Sequence, residues 1–225
     1  MIADNVKRIR EQIAAAAERS GRSADDVTLV AVTKLQPAAA VQEALDAGVR
    51  HIGENYVPEA EGKFPHIQWP DGVTRHLIGH LQGNKAARAI GTFDLIQSVD
   101  SLRLARKLNT VASDRGIIVP VLVEVKLCDE EEKTGFNPDG VQEAVGEIGE
   151  MAHLSVRGLM GMAPFTSDEK AVRDSFANLR KHILTLHNDS VRTLSMGMTN
   201  DFAVAIEEGS TMVRIGTAIF GSRYT

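Results

Sequence analysis

Short apolar runs alternate with amphipathic segments along almost all of the 225-residue chain. Eight of these runs have the length and the β-branched or apolar character of buried strands, and helical patterns separate nearly all of them. Strands connected through helices pair in parallel with right-handed crossovers, and eight such units close into a (β/α)8 barrel. The predicted strands are residues 27–33, 49–52, 74–78, 93–99, 117–125, 154–160, 192–196 and 212–215.

An additional helix precedes the first strand. Apolar residues at helical spacing, from Ile2 to Ile13, predict an amphipathic helix over residues 3–19. The composition does not change abruptly anywhere, so residues 1–225 are expected to form a single α/β domain, a TIM-type barrel with this extra N-terminal helix. Gly158 is expected to interrupt the sixth strand. The rival architecture, a doubly wound open sheet, lacks its Gly-x-Gly-x-x-Gly turn after the first strand.

Composition excludes several classes of protein. The net charge of −5 gives no basic surface for nucleic acid, and no apolar run approaches the length of a membrane span. Cys128 is the single cysteine, so an intramolecular disulfide is impossible and a reducing compartment is favoured. The first twenty residues lack the apolar block of a signal peptide. We therefore expect a cytoplasmic protein with no nucleic-acid or membrane partner.

Lys34 follows directly on the first predicted strand. It is succeeded by Leu35, Gln36 and Pro37, and the proline suits the first turn of a helix. Ligands of α/β proteins bind at the carboxyl ends of the strands. A lysine that is shielded from solvent there can lose its proton and attack a carbonyl group. The alternative interpretation is an ordinary solvated lysine at the end of a strand.

The loops after the last two predicted strands indicate a phosphate site. Ser195 and Gly197 lie in the first loop, and Gly216 and Thr217 in the second. Glycine lets the backbone approach an anion, and the hydroxyl groups can donate hydrogen bonds. Thr199 is also expected to begin a helix whose positive end favours an anion. The alternative is that these are simply turn residues.

A lysine and a phosphate cradle on one barrel rim describe a pyridoxal 5′-phosphate site, with the aldehyde bound to Lys34 as a Schiff base. Arg214 lies within the last strand, where a buried arginine is costly unless it is paired. It could donate a hydrogen bond to the pyridine nitrogen, which would keep that nitrogen unprotonated and weaken the ring as an electron sink. The alternative for Arg214 is an ion pair with Glu124.

The sequence closely resembles the pyridoxal-phosphate homeostasis protein family, whose fold is similar to the barrel domain of alanine racemase. The matching stretches are LVAVTK (29–34), GENYVPE (53–59), HLIGHLQGNK (76–85), RGLMGMAP (157–164), LSMGMTNDF (194–202) and STMVRIGTAIFG (210–221). Three features depart from the usual family pattern: Arg75 replaces a tryptophan, Thr199-Asn200 replaces Ser-Asp, and the 125–136 stretch differs from the usual one, although its lysine, Lys133, and its glycine, Gly135, remain.

The resemblance implies a role for each matching residue. It implies that Lys34 carries the cofactor and that Arg214 meets the pyridine nitrogen. It further implies a phosphate site formed by Ser195, Gly216 and Thr217, with Asn55 near the ring and His80 at the edge of the site. A metal site is not expected, because His76 and His80 straddle a strand end instead of sharing one helix face.

Carrier and enzyme remain competing hypotheses. Racemisation needs proton donors and acceptors on both faces of the bound amino acid. Lys34 could serve one face, but the two tyrosines, Tyr56 and Tyr224, are not obvious second bases. We therefore favour a monomeric protein that stores and delivers pyridoxal phosphate, with the apo-forms of pyridoxal-phosphate enzymes as candidate recipients. The alternatives are a weak amino-acid racemase and a barrel that binds phosphorylated metabolites without covalent chemistry.

Overall fold

The strands close into a parallel barrel, as the alternating pattern predicts. The computed structural model describes residues 1–127, 134–186, 188 and 190–221. The strands pair in chain order, and the last pairs back with the first, with Thr28 opposite Met212. They are β1 (Thr28–Val32), β2 (His51–Glu54), β3 (Thr74–Leu77), β4 (Leu95–Val99), β5 (Val119–Val125), β6 (Leu154–Gly161), β7 (Thr193–Ser195) and β8 (Met212–Ile215).

Helices cover the outside of the barrel. They are α1 (Ile2–Arg19), α2 (Ala38–Asp46), α3 (Val57–Lys63), α4 (Ala86–Thr92), α5 (Leu102–Asp114), α6 (Val141–Gly149), α7 (Glu169–Thr185), α8 (Phe202–Glu207) and α9 (Thr217–Phe220). The extra N-terminal helix is therefore confirmed, and it packs against α8 and α9. The amide of Asn5 donates to the carbonyl of Ile219, 2.8 Å away, which fixes α9 beside α1. None of the described helices has the length and hydropathy needed to cross a bilayer.

The apolar core has two parts. The larger part lies between the strands and the surrounding helices, as expected when parallel strands are covered by helices. The smaller part lies inside the barrel and consists of Val30, Leu95, Leu122, Met160 and Met212. The interior therefore resembles other barrels of this type in being a packed core and not a pore.

Two local predictions are wrong. Gly158 does not interrupt β6, which runs continuously, although its register with β5 shifts between Val121 and Leu122. The predicted helix at Thr199 begins only at Phe202, because Met198 and Asp201 close a turn in front of it. In that turn the Met198 N–H donates to Oδ1 of Asp201 over 2.6 Å.

Gly158 is required by a close backbone contact. A Cβ atom at this position would lie 1.8 Å from the carbonyl oxygen of Thr193 on β7. We predict that Gly158→Ala lowers the free energy of unfolding by about 1–3 kcal/mol or more, because overpacking forces the two strands apart. Urea unfolding followed by the fluorescence of Trp69 measures the change.

Gly146 supplies the matched control. It lies in α6 with open space where a Cβ would be, so Gly146→Ala should raise the free energy of unfolding by about 0.5–1 kcal/mol. Equal stability of the two variants would contradict the contact assigned to Gly158.

Candidate functional site

A cavity of about 770 Å³ opens at the carboxyl ends of the strands. The volume is typical of small-molecule and cofactor sites. Five of the residues singled out in the sequence line it: Lys34, Asn55, Arg214, Gly216 and Thr217. Residues from β1, β2 and β8 and the loops that follow them therefore converge on one cavity, because these strands are neighbours in the closed barrel.

The other three singled-out residues lie outside the lining. Ser195 is completely buried beneath the cavity. Gly197 has φ of 96°, and its carbonyl accepts a hydrogen bond from the Arg214 N–H. A Cβ at Gly197 would come within 2.6 Å of the Ala205 side chain, so this glycine lets the loop pack on α8. His80 is half exposed, and its Nδ1 lies 2.8 Å from Oδ2 of Asp100.

Two further segments line the cavity. Thr199 and Asn200 contribute a hydroxyl and an amide group from the turn between β7 and α8. The loop after β6 contributes residues 162–167, including Phe165, whose side chain is 93% exposed. Sequence reasoning gave this loop no role in the site, although residues 162–164 end a stretch that matches the family, because the loop reaches the site only through the path of the chain after β6.

Lys34 sits in a tight turn at the end of β1. The Gln36 N–H donates to the Thr33 carbonyl over 3.0 Å, and Leu35 has φ of 62°. The left-handed region is uncommon for residues other than glycine and costs conformational energy. The turn therefore needs support from its surroundings.

A buried ion network supplies that support on both sides of Lys34. The Nζ of Lys63 donates to the Thr33 carbonyl at 2.8 Å and to Glu54 and Glu59 at 2.7 Å each. The Thr33 hydroxyl donates to Glu54 over 2.6 Å, and the Leu35 N–H donates to Glu59. The residues before and after Lys34 are thus both held by the same three charged side chains.

The network lies in the protein interior. Glu54 is fully buried and Lys63 is 8% exposed, so each needs the other to offset its loss of water. Burial raises the pKa of Glu54, although hydrogen bonds from Lys63 and Thr33 act in the opposite direction. The sequence signal was a Glu59–Lys63 pair at i,i+4 spacing on a predicted helix, which is equally typical of an exposed surface.

Arg214 is buried and donates three hydrogen bonds. Its Nη1 donates to the Ser195 carbonyl at 2.8 Å and to the Ser195 hydroxyl at 2.7 Å, and its Nη2 donates to the Gly161 carbonyl at 3.0 Å. Burial lowers its pKa to about 10, against the charges of Glu124 and Asp201, so it stays charged at neutral pH. Among the described residues no salt bridge joins Arg214 to Glu124, so oxygen acceptors of Ser195 and Gly161 replace the ion pair that was the alternative expectation.

Glu124 is a second buried ionisable group close to Arg214. Burial and the charge of Asp100, opposed by Arg214, raise the pKa of Glu124 to about 7. The Thr134 hydroxyl lies 3.3 Å from Oε1 of Glu124. The charge of Glu124 therefore changes within the neutral pH range.

Comparison with known proteins decides the family. Residues 5–224 match the family model described as alanine racemase, N-terminal domain. The chain is 39% identical over 231 residues to the pyridoxal phosphate homeostasis protein of Escherichia coli (strain K12), covering 99% of this chain and 97% of that protein. This chain belongs to the pyridoxal phosphate homeostasis protein family.

Solved structures of the family share the barrel. An unknown protein from Bifidobacterium adolescentis is 40% identical, with a TM-score of 0.92 over 97% of this chain and 94% of that one. PipY of Synechococcus elongatus PCC7942, in a structure with pyridoxal phosphate bound, is 35% identical, with a TM-score of 0.87 over 98% of this chain and all of that one. The family resemblance and the barrel fold expected from the sequence are both confirmed.

Cys128, the acidic run 129–132, Lys133 and Tyr224 lie outside the described residues. Arg75, which replaces the usual tryptophan, pairs through two nitrogens with Asp94, 2.7 and 2.9 Å away. This substitution lies in β3, next to the residue that precedes β4 and away from the residues that line the cavity.

The pKa of His76 leads to a prediction for the effect of acid on the folding stability of this protein. It is 1% exposed, and burial together with His51, opposed by Asp94, lowers its pKa from 6.5 to about 3. Between pH 6.5 and 3 the unfolded chain therefore binds more protons at this residue than the folded protein does. The stability that His76 contributes is complete above pH 6.5 and falls by up to about 1.4 kcal/mol per unit as the pH drops.

His76→Gln isolates this contribution. We predict that urea unfolding between pH 6.5 and 5 shows a shallower loss of stability in the variant than in the unmodified protein. Glu124 is present in both proteins, so its effect cancels in the difference between their pH slopes. Its raised pKa gives a contribution to stability of opposite sign. Identical pH slopes would contradict the assignment of a neutral buried His76.

Proposed function

We propose that residues 1–225 act as one domain that binds pyridoxal 5′-phosphate on Lys34 and serves the storage and delivery of this cofactor. The observation that carries the proposal is the cavity in which Lys34 shares a lining with Arg214 and the hydroxyls of Thr199 and Thr217. The relative PipY, in a structure with pyridoxal phosphate bound, supports it. We further propose a monomeric, cytoplasmic protein whose recipients are apo-forms of pyridoxal-phosphate enzymes.

The donor set fits the three functional groups of the cofactor. The amine of Lys34 suits an aldehyde, and Gly216 and Thr217, at the start of α9, suit a phosphate. Arg214, which remains charged at neutral pH, suits a ring nitrogen that accepts a hydrogen bond. Asn55 follows β2 and lines the cavity, where it would lie near the ring. When bound, the cofactor would supply an electrophilic aldehyde on a conjugated ring.

The geometry suggests an indirect role for Ser195. Its hydroxyl is buried and already engages Arg214 and Gln97, at 2.7 and 2.6 Å. A phosphate contact of this hydroxyl stays a prediction. We propose that Thr199 and Thr217 donate to the phosphate and that Ser195 acts through Arg214. His80, paired with Asp100, would then lie at the rim of the site.

Lys34→Ala tests the attachment residue. We predict that borohydride reduction of the loaded protein places the adduct on the peptide containing Lys34, and that the variant retains neither the adduct nor the visible absorbance band. Lys85→Ala, which alters a half-buried lysine elsewhere, should retain both. An adduct on another lysine in the unmodified protein would refute the assignment.

We favour a carrier role because the described part of the site offers neither a strong electron sink nor a tyrosine for the second proton transfer. Arg214 would donate to the ring nitrogen and disfavour its protonation, which would make the ring a weaker electron sink. Within the described part of the chain no tyrosine lines the cavity, and Tyr56 lies outside it with 56% of its surface exposed. The second proton-transfer group that a racemase needs therefore has no candidate tyrosine there.

The decisive measurement is α-proton exchange of L-amino acids in heavy water, with chiral analysis of the products. We predict exchange well below ordinary enzyme turnover, which is on the order of 1–1000 per second, together with transfer of cofactor to an apo-enzyme. Exchange and racemisation at enzymatic rates would replace the carrier proposal with the weak-racemase alternative. A protein that binds phosphorylated compounds without a visible band would support the third alternative.

A further inference from the structure

A chain of hydrogen bonds crosses the barrel interior from β2 to β8. Nδ1 of His51 lies 3.0 Å from Nε2 of His76, and Nδ1 of His76 lies 2.9 Å from the side-chain amide of Gln97. The other end of the Gln97 amide lies 2.6 Å from the Ser195 hydroxyl, which is 2.7 Å from Nη1 of Arg214. The chain thus connects His51, at the first residue of β2, with the residue that lines the cavity on β8.

Arg214 sets the direction of every bond in this chain. Guanidinium can only donate, so the Ser195 oxygen accepts from it and has one proton left to give. The atom of Gln97 that faces Ser195 must therefore be the carbonyl oxygen, and the NH2 group must face His76. The Gln97 nitrogen also lies 3.2 Å from the sulfur of Met212, a weak acceptor, which agrees with this orientation.

The same argument fixes the tautomers of both histidines. Because Gln97 donates to it, Nδ1 of His76 is an acceptor, and the proton of the neutral ring is on Nε2. That proton can only be given to Nδ1 of His51, so His51 also carries its own proton on Nε2. Arg214 on β8 thus determines the state of a histidine on β2, two strands away in the barrel.

The surroundings leave these groups few alternatives. Gln97 and Ser195 are fully buried, and His76 and Arg214 are 1% and 4% exposed. The apolar side chains of Val30, Leu95, Leu122, Met160 and Met212 form a core inside the barrel, and the buried Glu124 lies close to Arg214. A buried polar group that loses its partner here would stay unsatisfied, which couples neighbouring bonds in the chain.

We propose that Gln97, His76 and His51 are positioning residues that hold Arg214, through Ser195, in the orientation used at the cavity. This proposal depends on the proposed function in one respect only, which is the identity of the ligand that Arg214 contacts. It assigns a role to three polar side chains that neither line the cavity nor belong to its phosphate loops.

Protonation of His51 would oppose this arrangement. With protons on both ring nitrogens, His51 could no longer accept from His76, so His76 and then Gln97 would have to reverse. Ser195 would receive a second donor and lose the acceptor for its own proton, which disturbs its bond with Arg214. Cofactor binding and protonation of His51 should therefore oppose each other by the same factor in both directions.

Other ionisable groups around the chain must be distinguished from His51. Burial lowers the pKa of His51, and its titratable neighbour is His76. Asp94, which is paired with Arg75, acts on His76, and Glu124 and Asp201 act on Arg214. A measurement made on the His51 ring itself separates its titration from theirs.

The first test uses the ligand-free protein. Nitrogen-15 NMR of the imidazole rings should show the Nε2–H tautomer for both His51 and His76 at pH 7.5. In Gln97→Glu the new carboxylate accepts from both neighbours, so His76 should change to a form with a proton on Nδ1. An Nδ1–H tautomer of His76 in the unmodified protein would overturn the proposed direction, whether or not any cofactor binds.

The second test measures binding of pyridoxal 5′-phosphate. Gln97→Leu should weaken binding about fivefold, the effect of one lost buried hydrogen bond, and should shift the absorbance of the bound cofactor. Ser98→Ala is the matched control, since this neighbouring buried hydroxyl donates to the Gly79 carbonyl outside the chain. It should leave affinity and absorbance unchanged. Unchanged affinity and absorbance in Gln97→Leu would overturn the positioning role.

The third test measures the coupling. The NMR pKa of His51 should be lower in the cofactor-loaded protein than in the free protein, and Gln97→Leu should abolish the difference. An equal pKa in both forms of the unmodified protein would refute the coupling. Failure of the unmodified protein to bind pyridoxal phosphate would instead refute the proposed function, and the tautomer result would still decide the direction of the chain.

Discussion

A guanidinium group that can only donate, buried within a closed barrel, governs the arrangement of polar groups in this protein. Arg214 must find acceptors, and it finds them in two backbone carbonyls and one hydroxyl. Each acceptor that also carries a proton must then find an acceptor of its own. A single charge in the interior thereby accounts for a glutamine and a histidine in the barrel, where apolar residues would otherwise pack.

Lys63 carries another buried charge, which acts on a different part of the site. Lys63 lies outside the cavity but holds the turn that presents Lys34, with Glu54 and Glu59 as its partners. The two flanking residues of that turn are fixed through a carbonyl and an N–H group, so the left-handed Leu35 is held from both sides. A reactive lysine on a flexible loop would lose its orientation, whereas one in a fixed turn keeps the geometry a ligand requires.

Sequence reasoning succeeded where the signal is local. The barrel follows from the alternation of elements, and Lys34 and Thr217 follow from their position directly after a strand. It was less informative where the direction of a side chain determines what it contacts, because successive residues in a strand face opposite sides. Ser195 was expected at the phosphate; its side chain is fully buried and bonds to Arg214 and Gln97, so the phosphate contact stays a prediction. Gln97 and His76 were missed as partners because contacts across a barrel interior depend on the register of strands far apart in the sequence.

Closure of the barrel also determines when the site can exist during synthesis. Lys34 follows β1, whereas Gly216 and Thr217 follow β8, and the two strands meet only by pairing with each other. A ribosome-bound chain that has not yet extended beyond residue 217 has its amine but lacks the part of the cavity that β8 and the following loop form. Such a nascent chain could not hold a ligand in the arrangement seen here. The ligand therefore cannot act as a template for the early strands, and it can stabilise only the closed barrel.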